Sequence, residues 1–142
     1  NNVILSVLKL TEHQVLGSGI NLKTRLDELL PAVYIDPEQM KQVFLNIIIN
    51  AVQAMPNGGV LEIGSRRDGQ EIVCTFSDTG IGISNEQQEN LFTPFFTSKK
   101  NGTGLGLAIV HRILEGHKGK IRFVTDKNKG TIFTIRLPVQ EG

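Results

Sequence analysis

Apolar positions change their period several times along this chain, and each change marks an element. Val3, Ile4, Val7, Leu8 and Thr11, with Val15 further on, recur at helical spacing until Gly17-Ser18-Gly19, which predicts a first helix over residues 1–16. Ile20, Leu22, Thr24 and Leu26 alternate with polar residues, the mark of a half-buried strand. Pro31 breaks the chain, and Ala32-Val33-Tyr34-Ile35 reads as a second short strand. Asp36-Pro37-Glu38-Gln39 is a helix start: Asp36 can cap, proline suits the first helical position, and Gln39 stands three residues after the cap. That helix runs to about Ala54 and stops before Pro56-Asn57-Gly58-Gly59. Its apolar run QVFLNIIINAVQAM holds Asn46 and Asn50, four residues apart and so on one face, with Gln42 and Gln53 extending the polar stripe. A buried amide costs a few kcal/mol unless it is bonded, so these two need partners, either nearby backbone or groups beyond the chain.

Val60–Ser65 and Gln70–Ser77 form a predicted hairpin around Arg66–Gly69, with Ile72, Cys74 and Phe76 on one side. The second strand delivers Asp78 to its end, where loop residues meet ligands. Ser84 caps a short helix, with Gln87 three residues later, that reaches about Phe92. Thr93–Asn101 has no clear period, and residues 84–101, set between two glycine clusters, are expected to act as a lid. The helix after Gly104 carries Leu105, Ala108, Ile109, Ile113 and Leu114 on its apolar face and ends near Gly116. Lys120–Thr125 and Thr131–Leu137 make a last hairpin around Asp126–Gly130. The order α-β-β-α-β-β-α-α-β-β lacks the strict alternation of a doubly wound sheet. It fits an α+β fold, an α/β sandwich whose mixed, largely antiparallel sheet is covered on one face by helices and wet on the other. With no repeat, low-complexity tract or linker, the 142 residues are expected to be one domain.

Composition narrows the class. With 15 basic against 14 acidic residues, the chain is no electrostatic nucleic-acid binder. A hydrophobic content of 39% and a charged content of 20% read as soluble and globular. The single cysteine, Cys74, has no internal disulfide partner and sits in a strand-like run, which suits a core thiol in a reducing compartment. No apolar run approaches the roughly 18 residues of a membrane span. The chain opens at Asn1-Asn2 inside a helical pattern, as expected of a domain from a longer protein.

The candidate chemistry lies in two glycine clusters. Asp78-Thr79-Gly80-Ile81-Gly82 puts an acid before two spaced glycines, and Gly102, Gly104 and Gly106 alternate directly into a helix. Such glycines leave backbone N–H groups open at the positive end of a helix, which favours bound phosphate. No lysine followed by Ser or Thr ends them, as in a Walker loop, and no dinucleotide βαβ pattern surrounds them.

Four blocks in order now resemble one family. NIIINAVQAM resembles the N box of the catalytic, ATP-binding domain of bacterial sensor histidine kinases; DTGIGI is similar to its G1 box, LFTPFF to its F box and GTGLGL to its G2 box. GTIFTIRLP is similar to the final strand, while NAVQAMPNGG and PFFTSK look most like the nitrogen-regulatory sensor kinases. The resemblance implies the Bergerat (GHKL) ATPase fold, with ATP and Mg²⁺ as ligands. It matches Asn50 to the amide that binds Mg²⁺, Asn46 to the other N-box amide, and Asp78 to the carboxylate that receives the adenine amino group. Gly80 and Gly82 then pass close to the base, Ile83 packs on it, and Thr131 reaches it through water. Gly102, Thr103, Gly104, Leu105 and Gly106 face the phosphates, and Lys99 reaches the terminal ones.

An ATP-hydrolysing relative carries a glutamate where this chain has Asn46, and an amide is a poor general base, so ATP is expected to be held for transfer. The implied acceptor is a histidine on a separate dimerisation domain, with a response regulator downstream. Gln53 and Ala54 stand where some branches have a lysine and a tyrosine. His13, His111 and His117 are not followed by an acid, as the family's acceptor is, and read as surface or helix-end residues. The expected setting is cytoplasmic, with a monomeric domain inside a homodimeric parent that is either free or membrane-attached. Two other readings share the nucleotide site: a regulatory module that phosphorylates nothing, and a gyrase-type ATPase.

Overall fold

The computed structural model describes residues 9, 19–27, 35–80, 106–126 and 129–139. Outside them lie the expected first helix apart from Lys9, the short strand before Ile35, the Ser84 helix and the lid over 84–101. The candidate residues Gly82, Ile83, Lys99, Gly102, Thr103, Gly104 and Leu105 also lie outside the described residues.

Strand β1 (Ile20–Leu26) is followed by helix α1 (Pro37–Ala54), strands β2 (Gly59–Asp68) and β3 (Glu71–Asp78), helix α2 (Gly106–Gly116), and strands β4 (Lys120–Asp126) and β5 (Gly130–Pro138). The five strands form one sheet in the order β1-β2-β3-β5-β4. β1 pairs with β2 in parallel, and every other pairing is antiparallel, so the sheet is mixed and largely antiparallel as expected.

Helix α1 starts where the capping pattern placed it. The Asp36 Oδ1 accepts the N–H groups of Glu38 at 3.0 Å and Gln39 at 3.3 Å, satisfying two donors that have no partner within the helix. Its buried side, Met40, Val43, Phe44, Ile47, Ile48, Ala51 and Val52, lies in one core with Leu61 and Ile63 of β2, Ile72, Cys74 and Phe76 of β3, and Phe133, Ile135 and Leu137 of β5. Phe44 and Phe76 meet with ring centroids 5.6 Å apart. Each large apolar side chain so buried contributes about 1.5–3 kcal/mol, and α1 supplies most of one wall of the core. Burial pushes the Cys74 thiol up to about 11, so it stays protonated and acts as a small apolar group.

Two expectations shift in detail. The β2–β3 turn is Gly69-Gln70 and not Arg66–Gly69, because Arg66, Arg67 and Asp68 still pair with Val73, Ile72 and Glu71. Arg136 on β5 reinforces that longer hairpin: its Nη1 lies 3.0 Å from Asp68 and 3.4 Å from Glu71, and it holds the Asp68 carboxyl below the usual carboxylate range. On α2 the buried positions are Val110 and Leu114, with Leu107 and Ile113 packed against the core, so the apolar face is turned from the expected Ala108–Ile109 centre. Positions 107, 110 and 114 keep helical spacing, and Val110 fills the middle of that stripe.

The opposite face of the sheet is polar, with Lys23, Arg25, Arg66, Lys120 and Arg122 exposed, and Val124 and Ile132 exposed beside each other. Val73 is the exception, fully buried between Arg66 and Arg136 in the register, whose aliphatic stems can cover it.

Two glycines differ in what they permit. Gly130 has φ +119° and its missing Cβ would collide with the Asp78 carbonyl; Gly69 has φ +61° and open space around it. Gly130→Ala should therefore cost about 3 kcal/mol in urea unfolding, from strain and collision together, and Gly69→Ala only about 1 kcal/mol from left-handed backbone alone.

Candidate active site

The candidate site is built at one end of the sheet, where a single row of residues crosses all five strands. Leu22, Leu61, Asp78, Thr131 and Thr125 are successive partners in register, from β1 through β2, β3 and β5 to β4. Leu61 belongs to the core and Leu22 packs against it, which fixes the row on the side of the sheet that faces the helices. Polar side chains therefore replace apolar ones partway along a core row. Asp78, at the end of the middle strand, is 4% exposed, and Thr131 beside it is 4% exposed. The Asp78 Oδ1 accepts the N–H of Gly80 at 2.9 Å, a tight local turn that aims the carboxyl. Thr131 Oγ1 lies 2.9 Å from Thr125 Oγ1, which in turn is 3.3 Å from the carbonyl oxygen of Gly130.

The segment after Asp78 is pinned to α1. Thr79 Oγ1 accepts the N–H of Val60 at 3.0 Å and its hydroxyl faces the Met55 sulfur at 3.7 Å, tying the segment to the start of β2 and the cap of α1. A Cβ on Gly80 would strike the Ala54 carbonyl, so glycine is what lets the backbone cross the last turn of the helix. Asn50 lies one turn before Ala54, which brings it to the Asp78 end of the sheet.

Asn46 and Asn50 are both partly buried on α1, and neither is without an interaction within the chain. Among the described residues no buried side-chain nitrogen or oxygen lacks a hydrogen bond. Unpartnered amides are thus no argument for a ligand here; position is.

Helix α2 is oriented by its far end. The Nε2 of His117 accepts the N–H of Asp36 at 3.0 Å, and its Nδ1 lies 2.8 Å from the Ile113 carbonyl oxygen, so the last turn of α2 is tied to the first turn of α1. Gly119 packs on Arg136 and Leu137, at the end of β5 remote from Asp78. With its C-terminus there, α2 directs its N-terminus at Gly106, with the partnerless N–H groups of a helix start, toward the Asp78 end. His117 is a helix-end residue, and His111 is exposed beside Glu115 at 3.7 Å, as the sequence suggested.

Asp78, Gly80, Thr131 and Asn50 are therefore gathered at one end, with α2 opening toward them. Thr79 and Thr125 were missed. The signal for Thr125 was available: it and Thr131 flank the last turn symmetrically, so they must face each other. Thr79 carried none, because its partners Val60 and Met55 are set by the fold. Among the described residues no group of three or more His, Cys, Asp or Glu could hold a metal ion, and no helix is long and apolar enough to cross a membrane.

Comparison with known proteins agrees with this geometry. Residues 35–141 match the family model described as histidine kinase-, DNA gyrase B- and HSP90-like ATPase. The chain is 38% identical over 139 residues to the sensor histidine kinase ZraS of Escherichia coli (strain K12), covering 98% of this chain and 30% of ZraS. It is 35% identical over 140 residues to sporulation kinase E of Bacillus subtilis (strain 168), covering 98% of this chain and 19% of that kinase. The chain thus spans less than a third of each of these two kinases. The nucleotide-free catalytic domain of histidine kinase ThkA superposes with a TM-score of 0.85 at 33% identity, covering 97% of this chain and 91% of that one. ThkA in complex with the response regulator protein TrrA gives a TM-score of 0.83 at 29% identity, covering 99% of this chain and 40% of that one. The mixed sheet with its helical face is the Bergerat fold of these kinase domains. The chain belongs to the histidine kinase-, DNA gyrase B- and HSP90-like ATPase family, as a histidine kinase catalytic domain.

Proposed function

We propose that the domain binds Mg-ATP at the Asp78 end of its sheet and transfers the γ-phosphate to a histidine on a separate dimerisation domain of a two-component sensor kinase. One observation carries this reading: a carboxyl 4% exposed ends the middle strand of an ATPase fold, where a buried acid suits an amine donor. Adenine presents an amino group at N6, whereas guanine presents an acceptor there, so Asp78 selects adenine. Thr131, its neighbour in the row, meets the base through water. Gly80, Gly82 and Ile83 run beside the base. Gly102, Thr103, Gly104, Leu105 and Gly106 offer N–H groups to the phosphates at the positive end of α2, and Lys99 adds a point charge.

Asn50 supplies an oxygen to Mg²⁺, an ion that takes few protein ligands and keeps phosphate oxygens and waters for the rest. When bound, the ion neutralises phosphate charge, which is most of what phosphoryl transfer asks of a protein beyond positioning. Asn46 is an amide and does not draw a proton from water, so ATP is held for an acceptor brought from elsewhere.

The parent is a cytoplasmic, homodimeric kinase, and this domain alone is a monomer. The ThkA–TrrA complex supports a response regulator as the downstream partner. NAVQAMPNGG and PFFTSK support a place near the nitrogen-regulatory branch, and residues 84–101 act as the lid over the phosphates.

Asp78→Asn should weaken ATP binding by about 100-fold in calorimetric titration, since one charge-assisted bond is lost and a donor faces a donor. Asparagine can still accept from the Gly80 N–H, so the variant stays folded; unchanged affinity removes Asp78 from the site.

Asn50→Ala should weaken binding with Mg²⁺ by about tenfold and leave metal-free binding nearly unchanged. Equal losses in the two conditions make Asn50 structural.

Incubated alone with γ-labelled ATP, the domain should keep no label and release only a trace of phosphate. Given a helical hairpin that bears the acceptor histidine, it should place acid-labile phosphate on that hairpin. Label retained on this chain reveals an acceptor within it. Rapid phosphate release favours the gyrase-type ATPase, and ATP bound without transfer favours the regulatory module.

A further inference from the structure

Three elements meet at one hydroxyl beside the site. Thr79 directly follows Asp78, and its Oγ1 lies 3.0 Å from the backbone nitrogen of Val60 and 3.7 Å from the Met55 sulfur. Val60 stands at the start of β2, and Met55 is the cap of α1. The partners force the direction of both bonds, because a backbone N–H only donates and a thioether sulfur only accepts. A lone pair of Thr79 therefore goes to Val60, and its single proton goes to Met55. Room for the hydroxyl is kept by Gly59, where a Cβ would strike both the Thr79 oxygen and the Met55 sulfur.

The segment held in this way is the one that aims Asp78. The Asp78 Oδ1 accepts the N–H of Gly80 at 2.9 Å, and that N–H belongs to the planar peptide joining Thr79 to Gly80. Packing bounds the same segment, with Gly130 close to Asp78 and Thr79, and Gly80 close to the Ala54 carbonyl. Close packing limits how near the chain comes to its neighbours, whereas the Thr79 bonds are attractive and set where it rests. A carboxylate takes a hydrogen bond from an amino group only within a narrow range of distance and angle. A segment free to swing has to be ordered when ligand binds, and that ordering subtracts from affinity. Asp78 itself is 4% exposed, while Thr79 is exposed, so a buried binding group is steadied from a neighbour at the surface.

We propose that Thr79 is a positioning residue: by tying the segment after Asp78 to the cap of α1 and the start of β2, it holds the Asp78 carboxyl in line with the amino group of adenine. The proposal rests on the ATP reading given above. It assigns no contact with nucleotide to Thr79 itself.

The test is calorimetric titration of the whole chain with Mg-ATP and with purine riboside triphosphate, which is ATP without the amino group that Asp78 receives. Four proteins are compared: wild type, Thr79→Val, Thr79→Ser, and Thr79→Val combined with Asp78→Asn against Asp78→Asn alone. Valine keeps the shape and removes the hydroxyl, and serine keeps the hydroxyl. Thr79→Val should lose about fivefold in affinity for ATP, the size of one group left to be ordered on binding, and bind the deaminated nucleotide as wild type does. Thr79→Ser should return ATP affinity to within about twofold of wild type. In the Asp78→Asn background, Thr79→Val should cost nothing further, because Thr79 acts only through Asp78. The Val60 N–H bonded by Thr79 is at an exposed position, so water replaces the lost acceptor and the variant folds. Should it not fold, Thr79→Ala carries the same comparison. Equal loss for the two nucleotides makes Thr79 a support of the fold and overturns the proposal, as does failure of serine to rescue or a further loss in the Asp78→Asn background. A wild-type chain that binds both nucleotides equally overturns the Asp78 reading as well. Wild type that prefers ATP, with Thr79→Val identical to it, overturns only the role of Thr79.

Discussion

The packing of α1 on the middle of the sheet is the contact on which the other parts depend. Met40, Val43, Ile47 and Ile48 are fully buried there, and Phe44 stacks obliquely on Phe76 of β3. An α-helix presents every side chain at a fixed angle to this buried stripe, so placing the stripe also places Asn46 and Asn50. The same docking puts the Ala54 carbonyl where Gly80 must pass and Met55 where Thr79 can reach it. The site is therefore a by-product of core geometry: a polar edge left where one helix and one sheet meet.

The carboxyl and hydroxyl halves of that edge are held by different means. Asp78 is oriented by short-range backbone contact, through the Gly80 N–H and the close approach of Gly130. The threonines are oriented by a side-chain ladder between β4 and β5. Helix α2 is held from behind, by the imidazole of His117 on the start of α1. Three independent restraints converge on one end of the sheet. Local fixing of this kind lets binding groups be present before a ligand arrives, so less ordering has to be done at the moment of binding.

Much of this was legible because several local signals agreed. Asp36-Pro37 and the apolar period placed α1 to the residue, and the alternation of β3 delivered Asp78 to a strand end. Glycine density marked the segment after Asp78, although its reason at Gly80 is the helix carbonyl beside it, which no local pattern reveals. What was hidden depended on distant partners. The β2–β3 turn moved because Arg136, far along the chain, extends that hairpin through Asp68 and Glu71. The face of α2 turned because the core needed Val110, a choice that the periodicity of the helix alone leaves open between adjacent stripes. The polar stripe on α1 was read correctly as a shared face, but its amides find partners inside the chain.

The parallel ladder between β1 and β2 separates this sheet into parts that form on different timescales. β2 and β3 close over a two-residue turn, and β4 and β5 over a short one, so both hairpins can assemble from neighbours in sequence. β1 meets β2 only after the whole of Asp27 to Gly58, including α1, has been folded back between them. Loop closure over that span comes before any contact repays it, and β1 gives the sheet a slow, late-joining margin. Until it docks, β2 is an open edge with unpaired backbone groups along Gly59–Ser65, a surface that invites a strand from another chain. Folding intermediates of this domain thus carry their aggregation hazard on the side of the sheet opposite β4, the flank away from the ladder of threonines.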